Sequence, residues 1–232
     1  MNYLNKYTAQ DSMSALISDN YKMLLVMSRF GIALGVGDKS IGEVCSENKV
    51  DTDTFLAIVN MLLDNTESFK VQQYQLSLPT LVSYLQNSHT YFLKYRLPSI
   101  REQLSHILAT ERHELSQVIL HYFDEYAAEV NKHMNYEETR VFPYIQALLN
   151  KQKPAQYNIG IFSKQHSQIE SRLTEFKNII IKYYPTKSSN EMSSVLFDIF
   201  NCENDLMSHN DIENKILIPA IVVLENSSKN VI

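Results

Sequence analysis

Apolar residues beyond Pro79 recur at helical spacing in four long segments, which cover approximately residues 79–95, 98–149, 155–183 and 189–227. The joints between these segments are short and carry proline or small polar residues: YRLP, NKQKP and YYPTKSSN. Because long helices with short joints pack as antiparallel neighbours, the pattern predicts an all-α fold, an up-down four-helix bundle. The second segment is long enough to contain a break near Glu111–His113. The strand–helix alternation of an α/β sheet is absent.

The first 75 residues have shorter apolar stretches and predict a small helical N-terminal domain ahead of the bundle. Four of the five glycines fall between Gly31 and Gly42, which predicts a loop that leads into a helix. Ser40 and Glu43 have the spacing of a capping box, and Asp51 or Thr52 can cap the next helix. The domains are therefore predicted as residues 1–75 and 76–232.

Composition and charge restrict the class of protein. Of the 232 residues, 44% are hydrophobic and 20% are charged, as in an ordinary soluble globular protein. The net charge of -5, with no long basic run, gives no electrostatic basis for nucleic acid as a partner. No apolar run is long enough to cross a membrane, and the polar N-terminus lacks the apolar core of a secretion signal. The two cysteines, far apart in sequence, favour a reducing cytoplasm.

A histidine, glutamate and proline pattern occurs twice. His133, Glu137 and Pro143 have the same spacing as His209, Glu213 and Pro219, written H-x3-E-x5-P. Each copy also follows a lone histidine on the preceding helical segment, His89 in the first case and His166 in the second, at nearly equal distance. Residues 76–232 are thus predicted to be two helical hairpins with equivalent histidines.

The repeated pattern indicates a metal site in the bundle core. Residues four apart share one helix face, so two helices can direct two His–Glu pairs at one interior point, and the other two helices add His89 and His166. Two buried carboxylates need compensating positive charge, which two metal ions with an oxo or hydroxo bridge would supply. Imidazole and carboxylate together suit iron, manganese or zinc. A single His–Glu pair at this spacing is usually a surface contact. The presence of a second copy favours the interpretation of both pairs as metal ligands.

Glu138 directly follows the predicted ligand Glu137 in the first copy. Successive residues of an α-helix are rotated by about 100° about its axis, so Glu138 is expected to face away from the site and to be solvated.

The stretch HMNYEETRVFPYI resembles the H-M-x-x-E-E-x-x-x-F-P sequence of hemerythrin-like proteins, most closely those that repair iron–sulfur clusters, the repair-of-iron-centres family. The stretches YLQNSHTYFLKYRLPSI, FSKQHSQIESRLTEF and LMSHNDIENKILIPAI resemble the other three ligand helices of that family. The resemblance implies two non-haem irons, with His89, His133, His166 and His209 as terminal ligands and Glu137 and Glu213 as bridges.

The N-terminal stretch FGIALGVGDKSIGEVC is similar to the small domain of the same repair proteins. In that family a Cys-Cys-Gly-Gly sequence follows the Gly-Ile step, whereas here Gly35 and Val36 occupy the positions of the two cysteines. The scaffold is therefore recognisable, but a repair step that uses those paired thiols is not available to this chain.

The resemblance implies a cytoplasmic di-iron protein that acts after nitrosative or oxidative damage, with a small diatomic ligand, oxygen or nitric oxide, and a client iron–sulfur protein as partners. One alternative is a sensor or regulator that signals through the N-terminal helices, and another is an interaction module without metal. Residues 40–62 can form a helix-turn-helix, but no Lys or Arg lies between Asp51 and Asn65, so DNA binding is not expected. The apolar N-terminal domain is consistent with a homodimer.

Overall fold

The computed structural model describes residues 6–64, 69–111, 113–152, 157–162, 169–187 and 189–229. Over these residues the fold is all-α, with short N-terminal helices followed by long helices over residues 78–227 that form a hemerythrin-like bundle. The short helices are α1 (Met13–Asp19), α2 (Met23–Arg29), α3 (Ile41–Glu47) and α4 (Thr52–Leu63), and a 3-10 turn follows at Val71–Gln73.

The long helices consist of α-helical stretches, and three of their junctions are π-helical turns, named π1 to π3. The first helix contains α5 (Leu78–Tyr91), π1 (Phe92–Arg96) and α6 (Leu97–Glu111), and the second contains α7 (Ser116–Tyr136), π2 (Glu137–Val141) and α8 (Phe142–Leu149). After the short α9 (Ile159–Phe162), the third helix is α10 (Ile169–Tyr183), and the fourth contains α11 (Ser189–Ile212), π3 (Glu213–Leu217) and α12 (Ile218–Lys229).

The N-terminal helices begin at the caps that the sequence predicts. Ser40 accepts the backbone N–H of Glu43, and the Glu43 carboxylate accepts the backbone N–H of Ser40, so the capping box of α3 is confirmed. Asp51, rather than Thr52, caps α4 by accepting the Thr54 N–H at 2.8 Å. The predicted glycine loop lies between α2 and α3, where Gly35 has φ of +93°.

One predicted joint was wrong. YRLP was expected to end the first long segment, but helix continues through Pro98, because π1 ends two residues before this proline and accommodates it. The chain instead turns between α6 and α7, where the break near Glu111–His113 had been expected. The first bundle helix therefore extends from Leu78 to Glu111.

Ion pairs join each neighbouring pair of the four long helices in a closed ring. Going around the bundle, they are Arg101–Asp124, Glu129–Arg172, Lys177–Glu203 and Asp198–Arg96. The enclosed core is apolar and rich in aromatic residues, with Phe92, Phe123, Tyr126 and Phe176 all buried. This connectivity is that of a four-helix bundle in which each helix contacts the next and the last contacts the first.

The chain divides into two compact units, residues 1–88 with 211–232, and residues 89–210. Both divisions fall inside continuous helices, α5 and α11, and so they do not test where an independently folding domain begins. The boundary near residue 75 stays a prediction. Among the described helices, none has an apolar stretch sufficient to cross a membrane.

Candidate metal centre

Three π-helical turns occupy equivalent positions in three of the long helices. Each consists of five residues and ends two residues before a proline: π1 before Pro98, π2 before Pro143 and π3 before Pro219. Glu137 is the first residue of π2, and Glu213 is the first residue of π3. The spacing between glutamate and proline that repeats in the sequence therefore has a structural meaning. In each copy the glutamate begins a π turn, and the proline follows the end of that turn.

The prolines explain why the turns widen. Proline has no N–H for the usual bond to the carbonyl four residues earlier, and its ring clashes with that carbonyl. The residue before each proline instead bonds five residues back: Phe142 N–H to the Glu137 carbonyl, and Ile218 N–H to the Glu213 carbonyl. Single π turns of this kind occur frequently at functional sites. A proline in a helical sequence ordinarily indicates a kink or a helix end, whereas here it sets the backbone at the predicted carboxylates.

Four of the six predicted ligands form one buried cluster. One ligand atom from each of His89, Glu137, His209 and Glu213 lies within 4.8 Å of every other. Glu137 and Glu213 are 0% exposed, and the two histidines are 3% and 1% exposed. Ionisable groups so fully buried are costly to keep in a protein interior unless ions or hydrogen bonds compensate them.

His133 joins the cluster through Glu137. Its Nε2 lies 2.8 Å from Glu137 Oε1, while Nε2 of His89 lies 3.0 Å from Glu137 Oε2. His166 lies outside the described residues. The complete set of six ligands therefore stays a prediction, with five of its members brought together around one region.

The surroundings of Glu137 test whether these residues fit a metal. Each of its oxygens has an imidazole nitrogen at about 3 Å, yet neither oxygen accepts a hydrogen bond from any described residue. A buried carboxylate without hydrogen-bond donors is rare in folded proteins. A cation bound by this carboxylate together with the two imidazoles would supply the missing partner of Glu137, and both ligand types suit iron, manganese or zinc. The residues fit the predicted centre.

The expectation for Glu138 was wrong. Its side chain is 34% exposed and its Oε1 lies 2.8 Å from Nδ1 of His89, in hydrogen-bond geometry. The expectation assumed regular α-helical rotation, but Glu137 and Glu138 both lie in π2, where the turn is wider. The long glutamate side chain then reaches His89 from the position next to Glu137.

A small cavity adjoins two of the predicted ligands. His133 and His209 contribute to its wall, together with Asn210 and Glu203, and most of the remaining wall is apolar. Its volume of about 10 Å³ corresponds to one water-sized molecule. One water-sized molecule therefore has room beside these imidazoles.

Fold and site together define a helical-bundle protein with a buried histidine and glutamate centre of the kind that binds cations. The family described as Hemerythrin, the hemerythrin HHE cation binding domain, matches residues 80–221, which is more than half of the chain. The chain therefore belongs to the hemerythrin HHE family, and the hemerythrin-like resemblance is confirmed. The search among curated proteins finds no significant match. The narrower likeness to the repair family stays a prediction.

Proposed function

We propose that the protein is a non-haem di-iron protein of the iron–sulfur cluster repair type, acting in response to nitrosative or oxidative damage. One observation carries the metal part of the proposal. Glu137 is fully buried between Nε2 of His89 and Nε2 of His133, and neither carboxylate oxygen accepts a hydrogen bond from the part of the chain that the structure describes. That arrangement is suited to a carboxylate that holds metal ions together with imidazoles.

The residues that would hold the ions are His89, His133, His209, Glu137 and Glu213, with His166 as the remaining predicted ligand. A bound iron pair would supply one-electron redox chemistry and would be able to bind a small ligand. The chain itself contributes the arrangement of the donors, and the apolar core around them excludes bulk water and strengthens local electrostatic interactions. Two carboxylates also offset part of the positive charge of the ions.

The cavity beside His133 and His209 supports a diatomic ligand, because it has room for only about one water-sized molecule. Oxygen and nitric oxide are only slightly larger than water, whereas an organic substrate is far too large for this space. Such a restricted space is consistent with a centre that binds a damaging diatomic molecule. In the proposed role, the same centre then supports the repair of a client iron–sulfur protein.

The N-terminal helices bear on the sensor alternative. In a helix-turn-helix, the second helix must be accessible to enter the DNA groove. Here eight consecutive residues of α4, from Thr54 to Met61, are buried. This burial, together with the absence of basic residues on α4, favours the repair-type proposal over a regulator that binds DNA through this helix.

The test is anaerobic reconstitution with Fe(II), followed by metal analysis and an optical spectrum after air oxidation. We expect two irons per chain and near-ultraviolet absorption from an oxo bridge, with both lost in His133→Ala. His121→Ala is the matched control, because His121 pairs with an exposed glutamate at the same i, i+4 spacing. A wild-type protein that stays metal-free and spectrally silent contradicts the di-iron proposal.

The repair part needs a separate measurement. An iron–sulfur protein whose cluster has been damaged by nitric oxide is incubated with the iron-loaded protein, and recovery of its cluster spectrum is followed. We expect recovery that depends on bound iron and is absent in His133→Ala. If the protein binds iron but gives no more cluster recovery than free iron does, the di-iron proposal stands and the repair role is overturned.

A further inference from the structure

His89 is contacted on both ring nitrogens by two successive glutamates. Its Nε2 lies 3.0 Å from Glu137 Oε2, and its Nδ1 lies 2.8 Å from Glu138 Oε1. Both glutamates come from the start of π2, so one wide helical turn reaches both edges of the same imidazole. Phe142, the residue just after π2, stacks on the ring with 5.5 Å between centroids and 18° between planes.

These contacts select one tautomer of the ring. A carboxylate accepts hydrogen bonds and cannot donate them when ionised, so the contact at Nδ1 requires a proton on Nδ1. Glu137 Oε2 accepts no hydrogen bond from Nε2, although the two atoms are close. The combination places the proton on Nδ1 and leaves the lone pair on Nε2, the nitrogen that faces the predicted centre.

The two halves of the repeat differ at this position. Glu138 follows Glu137 in the first copy, whereas the exposed Asn214 follows Glu213 in the second. A carboxylate directly after the ligand glutamate is therefore present in the first copy and is not part of the repeated pattern. Glu138 is also only partly buried, so the apolar core does not require a residue of this kind there.

We propose that Glu138 is a positioning residue for the metal centre: its carboxylate accepts the Nδ1–H of His89 and holds the ring with Nε2 available to the metal. The inference rests on the proposed metal site. A carboxylate partner on the outer nitrogen of a ligand histidine fixes the tautomer and raises the basicity of the donor nitrogen. Removal of such a partner typically costs 10- to 100-fold in metal affinity (order of magnitude).

The first experiment needs no metal. Nitrogen-15 NMR of the metal-free protein at mildly alkaline pH reports which nitrogen of His89 carries the proton, with the signal assigned through His89→Gln. We expect the Nδ1–H form in the wild type and in Glu138→Gln, whose amide oxygen can still accept that proton. We expect the Nε2–H form, or a mixture, in Glu138→Ala.

The second experiment measures Fe(II) affinity by anaerobic competition with a chelator. Glu138→Ala should bind roughly 10- to 100-fold more weakly than the wild type, and Glu138→Gln should recover most of that loss. Glu125→Ala is the matched control, because Glu125 faces the exposed His121, and it should leave affinity unchanged. The thermal midpoint of each metal-free variant shows that the chain remains folded.

Wild-type affinity and an Nδ1–H tautomer retained in Glu138→Ala would overturn the proposal. Equal losses in Glu138→Ala and Glu138→Gln would also overturn it, because charge rather than hydrogen-bond acceptance would then be responsible. If the wild type fails to bind Fe(II), the proposed function fails, while the tautomer of metal-free His89 still decides the role of Glu138.

Discussion

Phe142 donates its backbone N–H to the carbonyl of Glu137, five residues earlier, and Pro143 follows directly. This bond closes the π turn that begins at a buried carboxylate of the predicted centre. The same relationship joins Ile218 to Glu213 ahead of Pro219. The backbone at both carboxylates is thus set by a proline six residues further along the chain.

Replacing Pro143 with alanine tests this relationship. Pro143→Ala restores an N–H that can bond to the carbonyl of Thr139, so regular α-helix becomes accessible through π2. We expect the metal-free protein to keep or raise its thermal midpoint, while its Fe(II) affinity falls because Glu137 is re-aimed. Competition with a chelator and thermal unfolding measure the two effects.

Pro185→Ala is the control for that variant, because Pro185 lies between α10 and α11 and outside any π turn. It should leave the Fe(II) affinity unchanged. A Pro143→Ala protein that binds Fe(II) as tightly as the wild type would show that the π turn does not depend on the proline.

Metal binding should stabilise the fold. Fe(II) at 100 times its dissociation constant adds about 2.7 kcal/mol, provided that the unfolded chain does not bind it. For a chain of this size that corresponds to a rise of roughly 5–10 °C in thermal midpoint. Because imidazole must be neutral to bind a metal ion, the rise in thermal midpoint should shrink as the pH is lowered.

Glu137→Gln provides the comparison for this stabilisation, since the amide keeps the shape and loses the anionic donor. Its thermal midpoint should respond little to Fe(II). An equal rise in wild type and variant would place the stabilising metal elsewhere on the chain.

Cys45 should be chemically inert in the folded protein. Burial raises the pKa of its thiol from the ordinary value of 9.0 to about 12, a hydrogen bond with Thr52 opposes that rise, and the charge of Asp51 adds to it. At pH 8 the thiolate fraction, and hence reaction with an aromatic disulfide, should be about a thousandfold lower than for an unfolded chain. The measurement uses Cys202→Ala, so that only one thiol is counted.

The same raised pKa makes a prediction for stability in alkali. The folded state retains its thiol proton at a pH where the unfolded chain loses it, so this contribution is complete below about pH 9 and is lost as pH rises through about 12. Cys45→Ala should therefore show a weaker loss of stability over that range. Complete labelling of native Cys202→Ala within the mixing time at pH 8 would contradict both expectations.

Most of the bundle and the nature of its site follow from sequence, because helical periodicity and a repeated His–Glu pair are local patterns. The π turns could not be predicted from sequence, because a proline in a helical pattern ordinarily indicates a helix end or a kink. The shared spacing before Pro143 and Pro219 was the sequence feature that indicated a common structure. The contact of Glu138 with His89 was missed for the same reason, because regular α-helical rotation turns that side chain away. The sequence feature that could have indicated this contact was a second glutamate, Glu138, directly after the predicted ligand Glu137.

The buried ion pair between Lys177 and Glu203 should make the stability of the fold sensitive to the loss of either partner alone. Lys177 lies on α10 and Glu203 on α11, and their side chains are 9% and 13% exposed. Glu203 also accepts a hydrogen bond from Thr174 at 2.7 Å, and the Lys177 ammonium lies over the ring of Phe200. Removing one member leaves the other charge buried without its ion-pair partner.

Lys177→Met should therefore lower the free energy of unfolding by about 3–5 kcal/mol, measured by urea denaturation of the metal-free protein. The double variant Lys177→Met/Glu203→Leu should recover much of that loss, because well-packed apolar residues often replace a buried pair without penalty. The control is Lys215→Met, which removes the exposed Lys215–Asp211 pair and should cost at most about 0.5 kcal/mol. Similar costs for Lys177→Met and Lys215→Met would show that the α10–α11 pair is solvated in solution.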